Sequence, residues 1–247
     1  MSSPRIVEFE GMAGCGKSTI CRKLRETLPG QGRPVIWLTE KPFRSYLSAT
    51  GVGGRLAALR LFSFRAAWRA LCFWLGAGRL SRYKFCALLC RTEAVYRHFL
   101  RHGAPGALLV CDQSLIQTLV AVWGYDARTE LTGRERKAVS RFLKAAPVSD
   151  HFLCALPAEE HVRRIRLRGR SGGRLDQIRD DRLLLEKLAN NEHTLSQVVA
   201  LQEAVRPEIR LDMRKDPDTL AEEVMTALDG VPKGGRSYAQ ETVEHIS

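Results

Sequence analysis

Gly11-Met12-Ala13-Gly14-Cys15-Gly16-Lys17-Ser18 places two glycines, a lysine and a hydroxyl at the spacing G-x-x-x-x-G-K-[ST]. The chemistry of that spacing is phosphate binding. Its glycines let successive backbone N–H groups converge on a β-phosphate, and a helix opening at Lys17 adds the positive end of its dipole. Lys17 then reaches the β- and γ-phosphates, and Ser18 offers its hydroxyl to Mg²⁺. With Thr19 included, residues 11–19 form the expected cradle for ATP and its magnesium ion.

A second position of chemical interest is the carboxylate of Asp112, directly after the apolar run Ala107 to Cys111 (ALLVC). A parallel sheet gathers its ligands at the carboxyl ends of its strands. A carboxylate there can orient Mg²⁺ through water or accept a proton from an acceptor hydroxyl. The alternative is a helix cap for Leu115 onward, a role that suits Ser114 as well. Downstream, Arg163, Arg164, Arg166, Arg168, Arg170 and Arg174 crowd a short segment that contains Ser171-Gly172-Gly173. Phosphoryl transfer spreads negative charge over the moving group, so cations that close over it are useful. Helical spacing prevents all six from facing one way, and Arg164, Arg168 and Arg174 are the expected inward set. A nucleic-acid patch is the rival, but the stretch lacks the interleaved aromatics that such a surface uses. Arg44, Arg55 and Arg91 can hold an acceptor phosphate bidentately or lie on the surface. Phe43, Phe62, Phe64, Trp68, Phe73 and Trp74 can stack a ring or, as most are expected to do, fill the core.

Glu10 through Thr19 resembles the phosphate loop of thymidylate kinases and deoxynucleoside kinases, in which an acidic residue precedes the first glycine. Shorter resemblances continue in order along the chain to about Leu228. They comprise Thr39-Glu40-Lys41-Pro42, Leu89-Cys90-Arg91, Asp112-Gln113-Ser114 with Gln117-Thr118, and the arginine segment from Arg163 to Arg174. The resemblance nominates Glu40 as general base toward a sugar hydroxyl, against the reading of a loop charge paired with Lys41 or Arg44. It also nominates Arg91 and Gln113 on the acceptor side. Those families place arginine after the acidic residue of the third strand, whereas this chain has the neutral Gln113. Without that guanidinium the reading leans to a hydroxyl acceptor.

These residues need a scaffold, and the pattern supplies one. Arg5 to Glu10, Pro34 to Thr39, Ala107 to Cys111, His151 to Leu156 and Glu208 to Asp212 read as five strands. Helical patterns lie between them: Lys17 to Leu28, Arg55 to Gly76, Ser81 to His102, Leu115 to Trp123 and Glu130 to Ala145. Ala158 to Arg168, Asp176 to Val205 and Pro217 to Leu228 complete the helical set. Such alternation predicts an α/β fold of the P-loop NTPase type, a five-stranded parallel sheet with helices on both faces and an arginine-rich lid. One kinase domain is expected over 1–229, with an acceptor-binding helical region over about 41–105 and the lid over about 163–176. Residues 230–247 turn to Gly, Pro, Ser and charge, and a poorly ordered tail is expected there.

Composition narrows the partners. Lys and Arg number 39 against 27 Asp and Glu, a formal charge of +12 that suits any polyanionic partner, whether nucleic acid, anionic membrane or phosphorylated metabolite, without choosing among them. Seven cysteines, odd in number and without a C-x-x-C pair, point to reduced thiols and a cytoplasmic protein. Cys86, Cys90, His98 and His102 share a helical face, but about 24 Å of helix separates the outer pair, too far for one metal ion. Arginines 60, 65, 69 and 79 interrupt the apolar stretch from Leu56 to Leu80, so no membrane span is expected and an amphipathic pair of helices fits better. The expected partner is a small-molecule acceptor and no nucleic acid, with a homodimer left open. The expectation is an ATP- and Mg²⁺-dependent kinase acting on a nucleoside- or nucleotide-type acceptor. Its alternatives are a kinase for a non-nucleotide alcohol such as an antibiotic or sugar, a P-loop ATPase switch, and a non-catalytic nucleotide-binding module.

Overall fold

Short runs of β-prone residues become strands where helices bury them, most fully in the middle of the sheet and only in part at its edges. The computed structural model describes residues 3–28, 33–38, 46, 64–77, 83–112, 115–123, 130–168, 175–206 and 208–230. Its strands are β1 (Arg5–Glu10), β2 (Val35–Leu38), β3 (Leu108–Cys111), β4 (Asp150–Ala155) and β5 (Ile209–Asp212). They form one parallel sheet in the order β2-β3-β1-β4-β5. The described helices are α1 (Lys17–Thr27), α2 (Phe64–Ala77), α3 (Tyr83–His102), α4 (Leu115–Ala121), α5 (Gly133–Lys144), α6 (Ala158–Leu167), α7 (Asp181–Glu203) and α8 (Pro217–Leu228). The fold is therefore the α/β architecture that the alternating pattern predicts.

Side-chain alternation divides the core into two layers. Val7, Phe9, Val110, Phe152 and Leu211 face α1 and α8, where Ile20, Leu24, Leu220 and Val224 meet them. Ile6, Leu109 and Cys111 face the opposite layer, built largely from α3, α4 and α7. A strand covered on both sides reads as a continuous apolar run, as β3 does. Register between β1 and β4 is pinned at its start, where Arg5 donates to both carboxylate oxygens of Asp150 at 2.6 and 3.1 Å. A one-residue slip would turn every side chain of a strand to the other face.

Several helices begin later than hydrophobic periodicity predicts, and caps are the reason. The helix expected from Glu130 starts at Gly133 because Thr132 and Glu135 form a reciprocal capping box. The helix expected from Asp176 starts at Asp181, where the Asp180 carboxylate accepts from the N–H groups of Arg182 and Leu183. By contrast Pro217 and the Asp216 cap mark the start of α8 where expected.

The outer helix α2 corrects one expectation. It buries Ala66, Ala70, Phe73 and Ala77, which leaves Phe64 and Trp68 on its far side, 73% and 56% exposed. Phe43 and Phe62 lie outside the described residues. Arg69, one of the arginines that interrupt the apolar stretch, pairs with the buried Glu93 and donates to the carbonyls of Phe142 and Ala145 at the end of α5. Arg97 donates to the same carboxylate at 2.7 Å. The two cations thus complement a helix C-terminus as well as a buried charge. Among the described residues no helix is long and apolar enough to cross a membrane.

Candidate active site

The site grows from the way β1 ends. Gly11 has φ 138°, and a Cβ built there would stand 2.7 Å from the Cys154 carbonyl oxygen of β4. No side chain fits that approach. Gly16, with φ 106°, turns the chain into α1, and no side chain caps that helix among the described residues. A helix start without a side-chain cap, at the end of a glycine turn, is the arrangement that binds anions. We expect Gly11→Ala to cost about 1–3 kcal/mol of stability from the strained backbone and clash together. A chemical-denaturation midpoint equal to wild type would contradict the close packing of loop against β4.

Lys17 is buried, and its ammonium donates to the Gly11 carbonyl at 2.5 Å and the Met12 carbonyl at 3.0 Å. The lysine is thus folded back over its own loop, beside the Cys15 sulfur at 3.5 Å. Ser18 and Thr19 are exposed at the mouth. β1 continues into α1 on one face of the sheet and β3 into α4 on the other, which opens a crevice between the two strand ends. A cavity of about 550 Å³ occupies this crevice, and Lys17, Ser18, Asp112, Gln117, Arg164 and Arg168 are among its walls.

The capping alternative for Asp112 has a competitor. The N–H of Leu115, which opens α4, donates to Glu8 of β1 at 2.8 Å. Asp112 itself lines the cavity, with its N–H donating to the Leu38 carbonyl at 3.4 Å. Ser18 and Asp112 together offer a hydroxyl and a carboxylate to one cavity. These are hard oxygen donors of the kind that Mg²⁺ takes in small number, filling its shell with phosphate and water. The donor set fits the ion.

Helix α6 sorts the arginines by angle. Arg164 packs against the phosphate loop, donating to the Cys15 carbonyl at 3.2 Å and the Met213 carbonyl at 2.8 Å. Arg168, on the same face one turn on, lines the cavity and donates to Asp176 at 2.8 Å. Arg163 turns outward and pairs with Glu160. Arg166 instead ties α6 to the start of α7 through Asp181 and the carbonyls of Ile178 and Arg179. Arg91 is exposed on α3 and lines neither this cavity nor the one beside β5. Glu40, Arg44, Arg55, Gln113, Arg170 and Arg174 lie outside the described residues.

Some residues at the site escape sequence reasoning. Glu160 accepts from Arg163 and from Arg164, and those hydrogen bonds hold its carboxyl down at about 2. Its i,i+4 spacing from Arg164 is a readable signal. Buried His161 stands 3.1 Å from the Ala13 carbonyl through Nδ1, and burial keeps its imidazole below the ordinary pKa. Nothing in the sequence marks that contact, because 148 residues separate its partners. Arg22 of α1 also lines the cavity.

No protein-family model and no curated protein sequence matches the chain. Among solved structures it is similar to deoxyadenosine kinase from M. mycoides with bound dCTP, at 15% identity and a TM-score of 0.48, over 91% of this chain and 99% of that one. The same enzyme with the products dCMP and a flexible dCDP gives 14% identity and a TM-score of 0.47, over 92% and 99%. With dATP bound it gives 13% identity and a TM-score of 0.47, over 91% and 99%.

Proposed function

We propose that this protein is a kinase that moves the γ-phosphoryl group of ATP onto a hydroxyl of a nucleoside-type small molecule. The observation that carries the reading is the shared cavity: Lys17, Ser18, Asp112, Arg164 and Arg168 converge on it from three separate segments of the chain. A phosphate loop alone fits any nucleotide-binding protein. A carboxylate opposite it, with two arginines on the rim, adds what a transfer reaction needs.

In this reading the loop N–H groups and Lys17 hold the β- and γ-phosphates in line with the acceptor. The acceptor oxygen attacks γ-phosphorus as the bond from phosphorus to the β–γ bridging oxygen breaks, and ADP leaves with that electron pair. The proton of the acceptor hydroxyl passes to a carboxylate, Asp112 or Glu40. Arg164 and Arg168, with Arg174 as a further candidate, offset the charge on the moving group. Ser18 and Asp112 would hold Mg²⁺, which would supply neutralisation of the phosphate charge. Arg44, Arg91 and Gln113 remain the acceptor-side candidates, and the neutral Gln113 supports the hydroxyl over the phosphate.

A screen of nucleosides, nucleoside monophosphates, sugars and aminoglycosides with γ-labelled ATP tests the proposal. Label should move to a nucleoside hydroxyl with ADP released in equal amount. Label appearing on a non-nucleoside alcohol would keep the kinase and change the acceptor. Release of inorganic phosphate alone, equally fast without any acceptor, would identify an ATPase and overturn the reading. Binding of ATP without turnover across the whole library would overturn it too.

A further inference from the structure

Strand β1 carries two glutamates on one face, Glu8 and Glu10, and the register with β4 sets His151 opposite Glu8. The three side chains belong to the layer under α3 and α4, and all are buried, at 0%, 0% and 3% exposure. His151 Nδ1 lies 2.7 Å from Glu10 Oε1 and 3.6 Å from Glu8 Oε2. One donor atom from each residue falls within 4.8 Å of the other two. Buried ionised carboxylates are costly unless a cation or a full set of hydrogen bonds offsets them. That set is incomplete here. Among the described residues, Oε2 of Glu8 and Oε2 of Glu10 have no hydrogen-bond partner.

The surroundings add orientation and more negative charge. Glu8 Oε1 accepts from the Tyr96 hydroxyl at 2.5 Å and the Leu115 N–H at 2.8 Å, which aims its other oxygen at His151. Outer hydrogen bonds that fix a carboxylate in this way are a regular accompaniment of metal ligands. Glu208, whose side chain is 1% exposed, is close enough to perturb both Glu10 and His151. With a third carboxylate beside them and one oxygen of each glutamate left unpartnered, a cation would offset the charge of this cluster.

We infer that Glu8, Glu10 and His151 bind one divalent transition-metal ion, with zinc favoured by the mixed imidazole and carboxylate donors, at a site separate from Ser18 and Asp112. Two carboxylate oxygens and one imidazole nitrogen match the three protein ligands of a tetrahedral zinc ion. Magnesium would want an all-oxygen shell. The ion ties β1 to β4 directly beneath the phosphate loop, because Glu10 is the residue before Gly11. A cavity of about 770 Å³, lined in part by Gly11, Leu153, Glu203 and Arg210, lies against the chain neighbours of this cluster.

The test uses the full chain, produced with added zinc and then dialysed against a weak chelator without nucleotide. Elemental analysis should find about one zinc per chain, and stripping it with a strong chelator should lower Tm by about 5–10 °C. Glu10→Gln and His151→Asn should each lose the bound zinc, while Ser18→Ala should keep it. Should those variants fail to fold, cobalt-loaded wild-type protein still decides the matter. Its visible bands should report nitrogen and oxygen ligands without the near-ultraviolet charge-transfer band of a thiolate. A thiolate band would move the ion to the cysteines and overturn the proposal. Zinc well below one per chain with an unchanged Tm would overturn it as well, leaving shared protons to offset the buried charge.

Discussion

Replacing Lys17 with alanine is expected to lower kcat by about 10³-fold, while the KM for the acceptor changes little. The lysine opens α1 and is buried beneath the loop, with its ammonium bonded to the Gly11 and Met12 carbonyls. In the proposed reaction the same ammonium would exchange those carbonyls for phosphate oxygens of ATP, whose charge grows as the γ-phosphoryl group moves. Charge stabilisation that strengthens in the transition state appears in kcat, and removal of one such group costs about 10²–10³-fold. Two further donors, Arg164 and Arg168, lie at the same cavity, but neither is placed inside the loop. Fluorescence or calorimetric binding of ATP should weaken less than turnover does. A purified, folded variant with kcat within about tenfold of wild type would remove the phosphate-loop assignment.

Asp112→Asn is expected to have the second-largest effect, a fall in kcat of about 10²–10³-fold with a nearly constant acceptor KM. Asparagine keeps the size and can still meet a water, but it cannot take up a proton. If Asp112 is the base, the acidic limb of the kcat–pH profile should vanish in the variant and persist in Glu40→Gln. The reverse pattern would assign the base to Glu40 and leave Asp112 as the magnesium ligand. Gln113→Arg supplies the complementary measurement. With a hydroxyl acceptor the added guanidinium sits beside the proton-accepting carboxylate and should lower kcat. With a phosphate acceptor it should preserve or raise activity. Conversion of a nucleoside monophosphate to its diphosphate at kcat/KM above about 10⁴ M⁻¹s⁻¹ would overturn the hydroxyl reading and keep the kinase.

The shared cavity explains why these two effects belong together. Lys17 arrives on the turn after β1, Asp112 at the end of β3, and Arg164 on the helix after β4. Neighbouring parallel strands deliver all three to the same edge of the sheet. Arg164 then contacts the loop through the Cys15 carbonyl, so the rim and the cradle share a wall. The substitution Gly11→Ala probes that same wall from below.

What was legible in the sequence was whatever is local. The phosphate loop is eight consecutive residues, and its glycines, lysine and serine act through backbone geometry that those residues define by themselves. β3 was legible because burial on both faces leaves an unbroken apolar run from Ala107 to Cys111, whereas β5, with Leu211 its one buried residue, was legible from its place in the alternation of strands and helices. Helix starts were less so: Thr132 and Asp180 override the periodicity with a few hydrogen bonds that no hydrophobic pattern records. Phe64 and Trp68 belong to a set of six aromatics of which most are expected in the core, yet the other side of α2 does the packing. Only the tertiary structure decided which arginines line the cavity, since a rotation of about 100° per residue separates Arg163 from Arg164 and packing sets the zero of that rotation. Only the tertiary structure, too, brought His151 to Glu8 and Glu10. Those residues lie 141 to 143 positions apart, and it is the parallel register of β1 with β4, clamped at Arg5 and Asp150, that turns them to one buried face.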